Sequence, residues 1–505
     1  MTLPDWLDPL PNAAEQRELD QWAIEERGIA SLELMERAGS GLAQLAMRRA
    51  PEGQLAVVCG KGNNGGDGYV AARVLREQGR DVRVLALAPT DELRGDALTN
   101  AQRLPGETPE QFSSQALSGA VAVIDAILGT GFSGEPHGAA ADAIEALNES
   151  DAITVACDVP SGVDASTGEV VGAAVRAQAT ATFHAPKPGL WIAPGKDHSG
   201  EVAVIDIGIP HGGPGEPSIG LIDDSVTAGI PRRGRESTKF AAGSMLVCGG
   251  STGLTGAPCL AAEAGMRAGA GYITACVPAS LNPIFEGRLL EVMTVPVADA
   301  GGAISSAALT EVLERTARVQ SLVLGPGLGR SPETVEFTRT LAREAEVPLL
   351  LDADGLNAHA GELDALAARS AATVITPHAG ELARLLEKES AEVGAHRLDC
   401  AREAARRAKA IVVLKGDDTL VAGPEGEVAV SRGGAAALAT AGTGDVLSGV
   451  IGAYLAKQMD PLHAACAGVF VHARAGQLTA QEIGSEGVIA SDVIEALPRA
   501  RSPAP

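Results

Sequence analysis

The strongest constraint on the fold is an alternation of short apolar runs with longer helical stretches along the 505-residue chain. This alternation is typical of α/β proteins, in which helices connect the strands of a parallel sheet. A first series of apolar runs predicts strands at 54–59, 81–88, 121–125, 153–157 and 202–207. A second series predicts strands at 244–248, 272–277, 321–324, 348–352, 373–375 and 411–415, followed by helices from 445 to 497.

A break between the two series indicates the domain organisation. Segment 211–217, His-Gly-Gly-Pro-Gly-Glu-Pro, is rich in Gly and Pro and has no hydrophobic periodicity. Such a composition is typical of a linker. We therefore predict two α/β domains, at 1–215 and 216–505.

Charge and cysteine content exclude several classes of protein. The formal net charge of −24 repels nucleic acid and anionic membranes. The sequence has no run of about 18 apolar residues, and its beginning lacks the pattern of a signal peptide. The seven scattered cysteines include no Cys-x-x-Cys pair, which indicates free thiols rather than zinc ligands. We expect a soluble cytoplasmic protein that binds neither nucleic acid nor a membrane.

A glycine-rich segment in the first domain indicates an anion-binding loop. Residues 59–68, Cys-Gly-Lys-Gly-Asn-Asn-Gly-Gly-Asp-Gly, follow a predicted strand and open a predicted helix. In this position backbone N–H groups approach phosphate. The acidic residue that binds ribose in Rossmann dehydrogenases, about 20 residues further on, is absent, which disfavours that class. An ordinary tight turn is the simpler alternative.

Carboxylates follow two further predicted strands of the first domain. Asp125 leads into Gly-Thr-Gly-Phe-Ser-Gly-Glu at 129–135, and Asp158 leads into Pro-Ser-Gly-Val-Asp at 160–164. Ligands of open α/β sheets bind at the carboxyl ends of strands, so we expect the three loops to converge on one crevice. Capping of a local turn is the alternative role for each Asp.

These three motifs, in this order, resemble the NAD(P)H-hydrate epimerases over most of residues 10–210. That family interconverts the R and S epimers of hydrated NADH or NADPH, and the resemblance implies a Rossmann-like three-layer α/β/α domain. It implies that the dinucleotide contacts Asn63, Asn64, Gly65, Gly66, Asp67, Gly129, Thr130, Gly131, Phe132, Ser133, Gly134 and Glu135.

The resemblance also implies a metal site and a catalytic residue. Asn64, Asp125 and Ser161 would ligate a potassium ion, for which oxygen ligands are suited. Asp158 would contact the substrate and perform acid–base chemistry at the epimerised carbon. Lys187 is a candidate partner of Asp158 in this acid–base chemistry. Its alternative roles are to bind phosphate or simply to be exposed to solvent.

The strongest local signal in the second domain is the segment 441–449, Ala-Gly-Thr-Gly-Asp-Val-Leu-Ser-Gly. Its small residues let the chain turn into a helix, whose N–H groups and dipole favour an anion. Asp445 can there accept a proton from a hydroxyl beside a phosphoryl group, and helix capping is its alternative role. The absence of a GxxxxGK[ST] motif excludes P-loop NTPases as the template.

This Gly-Thr-Gly-Asp segment resembles the ribokinase-like superfamily. Further motifs narrow the resemblance to the ADP-dependent NAD(P)H-hydrate dehydratases, and they lie at 251–258, 267–271, 325–329, 352–357, 376–381 and 414–419. The resemblance implies substrate contacts from Ala257, Gly327, His378 and Asp445. It implies contacts to the adenine nucleotide, accompanied by Mg²⁺, from Lys415, Gly416, Asp417, Asp418, Thr419 and Gly444. The segment Ser-Thr-Lys-Phe at 237–240 departs from the family, which often has a His there.

Together the resemblances imply a bifunctional enzyme that repairs hydrated NAD(P)H, abbreviated NADHX or NADPHX. The first domain would interconvert the two epimers, and the second would dehydrate the S epimer at the expense of ADP. We also expect a homo-oligomer. One alternative is an ATP-dependent kinase of small vitamin-like alcohols with a non-catalytic nucleotide-binding module. Another treats the first domain as a binding module, like related domains in mRNA decapping enhancers.

Overall fold

A computed structural model describes residues 3–501, which form two compact units. Leu3 and Pro9–Gly220 belong to the first unit, and Pro4–Asp8 and residues 221–501 belong to the second. Residues 1–2 and 502–505, which the predicted domains include, lie outside the described residues. Within residues 3–501, no helix is both long and apolar enough to span a membrane.

The first part of the chain forms a parallel sheet with connecting helices. Strand β1 (Leu7–Pro9) comes first in the chain and belongs to the larger sheet described below. The strands of the parallel sheet are β2 (Leu55–Cys59), β3 (Val82–Ala86), β4 (Glu110–Gln111), β5 (Ala122–Ala126), β6 (Ile153–Cys157), β7 (Ala179–Phe183) and β8 (Glu201–Ile205). Its helices are α1 (Ala13–Glu25), α2 (Ser31–Arg49), α3 (Asn63–Glu77), α4 (Gly95–Gln102), α5 (Ala139–Glu149) and α6 (Lys196–Ser199). The sheet order is β4-β3-β2-β5-β6-β7-β8, and all its strand pairs are parallel.

Two hydrophobic cores enclose this first sheet. Alternate residues of β2 point to opposite faces, so Leu55 and Val57 join the core beneath α2 and α3. Ala56 and Val58 join the core that contains α5. Because both faces are covered, the strand is apolar at every position. The predicted three-layer α/β/α architecture of this unit is confirmed.

The second part of the chain builds a larger sheet. Its strands are β9 (Ile219–Ile222), β10 (Ser244–Cys248), β11 (Tyr272–Pro278), β12 (Met293–Val297), β13 (Asp299–Ala300), β14 (Ala303–Ile304), β15 (Ser321–Leu324), β16 (Leu349–Leu351), β17 (Thr373–Ile375), β18 (Ile411–Leu414), β19 (Leu420–Ala422) and β20 (Val428–Val430). Its helices are α7 (Gly256–Arg267), α8 (Asn282–Arg288), α9 (Leu309–Thr316), α10 (Pro332–Glu344), α11 (Asp354–Asn357), α12 (Ala379–Leu386), α13 (Ser390–Ala395), α14 (Arg397–Ala408), α15 (Thr443–Ala456), α16 (Pro461–Ile483) and α17 (Ala490–Ala500).

The larger sheet is parallel at its centre and antiparallel at one end. Its order is β1-β9-β20-β19-β18-β17-β16-β15-β10-β11-β12. The pairs from β12 to β18 are parallel, whereas β18, β19 and β20 pair antiparallel. Strands β10, β15, β16, β17 and β18 are buried at every position, as expected of a covered parallel sheet. The predicted α/β class is therefore confirmed for both units.

Some elements differ from those the sequence predicts. Strands β7, β9, β12, β19 and β20 were not predicted, because they are short or, like the Ala-Thr-Ala-Thr-Phe of β7, built from small residues. Helix α3 begins at Asn63, inside the glycine-rich segment, and its first turn packs tightly on the preceding loop. A Cβ on Gly65 would lie 2.0 Å from the carbonyl oxygen of Gly60.

The beginning of the chain contributes to the second unit. Strand β1 is an edge strand of the larger sheet. The Trp6 ring stacks on His463 with 4.9 Å between centroids, and the backbone N–H of Asp223 donates to the carbonyl of Trp6 at 3.1 Å. No pattern in the sequence indicates this placement.

We predict that Gly449→Ala destabilises the second unit. Helix α15 packs against α7 there, and a Cβ on Gly449 would lie 2.1 Å from the carbonyl oxygen of Ala261. Overpacking should lower the free energy of unfolding by about 1–3 kcal/mol, although alanine is the better helix former. Chemical denaturation measures this change. The control is Gly287→Ala in α8, where a Cβ meets nothing within 4 Å, and equal loss in both variants would contradict the prediction.

Candidate active sites

A cavity of about 830 Å³ lies at the carboxyl ends of β2, β5 and β6 in the first unit. The predicted residues that line it are Asn63, Asn64, Asp67, Gly129, Thr130, Gly131, Phe132 and Asp158. Gly65, Gly66, Ser133, Gly134 and Glu135 were also predicted to contact the dinucleotide and do not line it. Helix α1 contributes Gln16 and Asp20, which the sequence analysis did not single out.

Asp158 and Lys187 form an ion pair inside this cavity. Lys187 Nζ lies 2.9 Å from Asp158 Oδ1, and the lysine side chain is 1% exposed, so it is not a solvated surface lysine. Its ammonium also donates to Thr182 Oγ1 and to the carbonyl oxygen of Phe183. The other carboxylate oxygen of Asp158 accepts from the backbone and the hydroxyl of Thr130. Asp158 has φ +69, a strained backbone conformation of the kind found at functional sites.

The carboxyl groups of the cavity have different protonation properties. Burial alone would raise the pKa of Asp158, but the Lys187 ammonium and the Thr130 hydrogen bonds lower it below its usual value. Burial raises the pKa of Asp67 well above its usual value, and the charges of Asp158 and Asp20 raise it further. Burial also raises the pKa of Asp20. A carboxylate with a lowered pKa thus shares the cavity with carboxyl groups whose pKa values are raised, an arrangement suited to acid–base chemistry.

The side chains of the predicted potassium ligands Asn64, Asp125 and Ser161 have buried polar atoms beside this cavity. The hydroxyl of Ser161 donates to Asp125 Oδ1 at 2.6 Å, and the Ser161 backbone donates to Oδ2 at 2.8 Å. Burial raises the pKa of Asp125 to about 6, although the Ser161 hydrogen bonds oppose the shift. Both side-chain amide atoms of Asn64 are buried without a hydrogen-bond partner. The backbone joins these groups, since Leu128 N–H donates to Ser161 Oγ and Gly129 lies against Asn64.

In the second unit, a cavity of about 320 Å³ lies beside the N-terminus of α15. Gly442, with φ +92, makes the turn into this helix. The predicted nucleotide contacts that line the cavity are Lys415, Gly416, Asp417, Thr419 and Gly444. Asp418 does not line it, because its carboxylate is buried in a bidentate ion pair with Arg397 at 2.8 Å.

A charged network connects the cavity to Asp445. Lys415 Nζ lies 3.0 Å from Asp352 Oδ1 and 3.7 Å from Glu381 Oε2. The other Asp352 oxygen accepts from the hydroxyl of Ser448 at 2.8 Å. Burial and the nearby Asp352 charge raise the pKa of Asp445 to about 7, and the Lys415 ammonium partly opposes them. Asp445 is therefore close to half ionised at neutral pH.

The remaining predicted substrate contacts lie in two places. A Cβ on Gly327 would lie 3.4 Å from the Cβ of Ala257, so these two residues are neighbours. His378 caps α12, where its Nδ1 accepts from the backbone N–H groups of Gly380 and Glu381. Its side chain is 56% exposed and accessible to a ligand.

Sequence reasoning did not single out four residues of these networks. Asp352 and Glu381 lie inside the motifs at 352–357 and 376–381, which were noted only as sequence patterns. Gln16 and Asp20 lie on an amphipathic helix with no motif, so only the tertiary structure shows their position.

Comparisons with known proteins agree with this organisation. The family model described as NAD(P)H-hydrate dehydratase matches residues 245–499, and the model of the YjeF-related protein N-terminus matches residues 31–189. A bifunctional NAD(P)H-hydrate repair enzyme of Moorella thermoacetica is 40% identical over 97% of this chain and 96% of its own length. One from Salinibacter ruber is 38% identical over the same shares of the two chains.

A solved structure is also similar to part of this chain. An ADP/ATP-dependent NAD(P)H-hydrate dehydratase from Bacillus subtilis is 28% identical and covers 55% of this chain and 96% of its own, with a TM-score of 0.47.

We predict that Lys187→Met destabilises the first unit and raises the pKa of Asp158. The variant leaves a buried carboxylate without its ammonium, which should lower the free energy of unfolding at neutral pH by about 3–5 kcal/mol. Denaturant unfolding measures this loss, and Asp158→Asn in the same chain should restore part of it. The control is Arg315→Met, whose exposed pair with Glu311 should contribute about 0–1 kcal/mol. Losses of equal size would contradict the prediction.

Proposed function

The chain belongs to the family of bifunctional NAD(P)H-hydrate repair enzymes, and we propose that its two cavities are the two active sites of that repair. The chain is an NAD(P)H-hydrate epimerase and an NAD(P)H-hydrate dehydratase in one polypeptide. We assign epimerisation to residues 1–215 and dehydration to residues 216–505. One observation carries the assignment: each unit has its own cavity beside a lysine–carboxylate pair in which one side chain is buried.

The epimerase reaction follows from the chemistry of the substrate. Water adds to an enamine at the carbon next to nitrogen, so the hydroxyl of hydrated NAD(P)H can leave with help from the ring nitrogen. Re-addition of water to the opposite face gives the other epimer. Asp67, whose pKa burial raises well above its usual value, would protonate the leaving hydroxyl, whereas Asp158, whose pKa lies below its usual value, would take a proton from the incoming water.

Asn64, Asp125 and Ser161 would hold a potassium ion in the first site. The residues fit the ion, because they supply oxygen atoms and the Asn64 side-chain oxygen is buried without a partner. A bound cation would supply positive charge beside the buried Asp125 carboxylate. The same residues connect the glycine loop with the loop after β5, so they would fix the walls of the dinucleotide cavity.

The dehydratase site is suited to phosphoryl transfer. Hydroxide is a poor leaving group, so the hydroxyl would first accept the terminal phosphoryl group of ADP, which leaves AMP. Asp445 would take the hydroxyl proton, while Lys415 and the backbone of Gly444 stabilise the transferred charge. Phosphate and a proton from the neighbouring carbon then leave, which restores NAD(P)H. Mg²⁺ would accompany the nucleotide and reduce its charge. The full-length relatives favour this function over a kinase of small alcohols.

We predict that substitutions in the two sites separate the two activities. Asp158→Asn should abolish interconversion of the epimers and leave ADP-dependent recovery of NADH from the S epimer intact. Asp445→Asn should lower the rate of ADP-dependent NADH recovery at least about a hundredfold, as is typical for an acid–base group, and leave the interconversion of the epimers intact. Chromatography of the epimers and absorbance of NADH measure the two reactions. The control is Glu362→Gln, which removes an exposed carboxylate, and loss of both activities in either site variant would contradict the assignment.

We predict that the dehydratase rate rises with pH through about 7. Asp445 acts as a base only when ionised, and its pKa is raised to about 7, so the rate should fall below that pH as the carboxyl gains a proton. Initial rates of NADH formation at saturating ADP and S epimer measure the profile. A rate independent of pH between about 5.5 and 8 would contradict the role of Asp445.

A further inference from the structure

One buried carboxylate contacts two parts of the dehydratase site that the sequence separates widely. Asp352 follows β16 and is 1% exposed. Its Oδ1 lies 3.0 Å from Lys415 Nζ after β18, and its Oδ2 accepts from Ser448 Oγ on α15 at 2.8 Å. Because both oxygens are engaged, the carboxylate fixes the lysine and the helix relative to each other.

The position of the Lys415 ammonium needs this carboxylate. A Cβ on Gly444 would lie 3.6 Å from Lys415 Nζ, so the ammonium stands at the N-terminus of α15. The positive end of the helix dipole repels a cation there. Asp352 and, at 3.7 Å, Glu381 supply the negative charge that holds the ammonium in place before a phosphate arrives.

The same carboxylate also orients the proposed base. Ser448 is three residues after Asp445, so the two side chains lie on one face of α15. The charged groups that face Asp445 are Asp352 after β16, Glu381 on α12 and Lys415 after β18. On α16, burial lowers the pKa of His472 to about 4, so this side chain adds no charge at neutral pH.

We infer that Asp352 is the positioning residue of the dehydratase site: it aligns the Lys415 ammonium and the Asp445 carboxylate for phosphoryl transfer and sets the charge around both. The inference rests on the proposed function of this site. It assigns to Asp352 no contact with the substrate, so its effect should fall on the rate and the pH profile rather than on the binding of ADP.

Asp352→Asn tests the inference, because asparagine keeps the volume and can still accept from Ser448. Loss of the negative charge should lower the pKa of Asp445, and the Lys415 ammonium, no longer paired, would lower it further. The rising limb, the pH range over which kcat increases with pH, should therefore move to lower pH by about half a unit or more. The value of kcat above the limb should fall about tenfold or more because the lysine is misplaced. The Kd for ADP should stay within about threefold, since Asp352 itself is assigned no contact with the nucleotide.

Ser448→Ala is the companion variant, because it frees the helix and keeps the charge. It should lower kcat without moving the limb. Glu362→Gln again controls for the exchange of a carboxylate for an amide, and epimerase activity in the same chain reports that the protein is folded. If Asp352→Asn kept the wild-type kcat and limb, or lost activity with the limb unmoved, the inference would be wrong.

Calorimetric titration with ADP and Mg²⁺ separates this inference from the proposed function. Ionised Asp445 adds negative charge near the phosphates, so ADP should bind more weakly at a pH above the pKa of Asp445. A plot of the Kd for ADP against pH should therefore show an inflection at that pKa. This inflection should move to lower pH in Asp352→Asn. If the wild-type protein never formed NADH while the inflection still shifted, the proposed function would be rejected, and only the electrostatic effect of Asp352 on Asp445 would be supported. An unshifted inflection would reject the inference.

Discussion

Two lysine–carboxylate pairs, each with one buried side chain, determine the electrostatics of both units. Removal of a charged side chain from water costs several kcal/mol unless an opposite charge and hydrogen bonds compensate it. Lys187 satisfies this condition with Asp158, Thr182 and the carbonyl of Phe183. Lys415 satisfies it with Asp352 and Glu381. Each pair lies where parallel strands end, which is also where open α/β sheets bind ligands.

The pairs give neighbouring carboxyl groups different properties. In the first unit, the Lys187 ammonium outweighs burial and lowers the pKa of Asp158, while burial and the Asp158 charge raise the pKa of Asp67. In the second unit, Lys415 and Ser448 engage both oxygens of Asp352, and burial together with the Asp352 charge raises the pKa of Asp445 to about 7. Lys187 thus helps to give Asp158 and Asp67 different pKa values, as a base and an acid require. Lys415 lies beside Asp445, a base whose pKa is close to neutral pH.

Much of the fold could be predicted from the sequence because its central strands are continuous apolar runs. Strands β2, β6, β10 and β15 show this pattern clearly, and the loops after such strands carry the motifs that indicated the family. The comparisons confirm the family and the bifunctional activity. Strands β7 and β19 escaped prediction, since small residues or short length remove the periodicity.

The site residues were harder to assign, because partners come from distant parts of the chain. Lys187 could equally have been a surface side chain, and only tertiary packing shows it buried against Asp158. Asp418 lies in a motif attributed to nucleotide binding, yet Arg397 holds its carboxylate away from the cavity. Asp20 reaches the first cavity from a helix without any motif. Such pairings depend on the packing of whole elements, which local patterns do not encode.

We propose that two sites in one chain repair both epimers of hydrated NADH in succession. The most direct test supplies the pure R epimer to the wild-type protein with K⁺ and Mg²⁺, and adds ADP only after the epimers have been separated and quantified. We expect the S epimer to form before ADP is added and nearly all material to return to NADH afterwards. An R epimer that persists unchanged, or NADH that forms without ADP, would show that the two sites do not act in this succession.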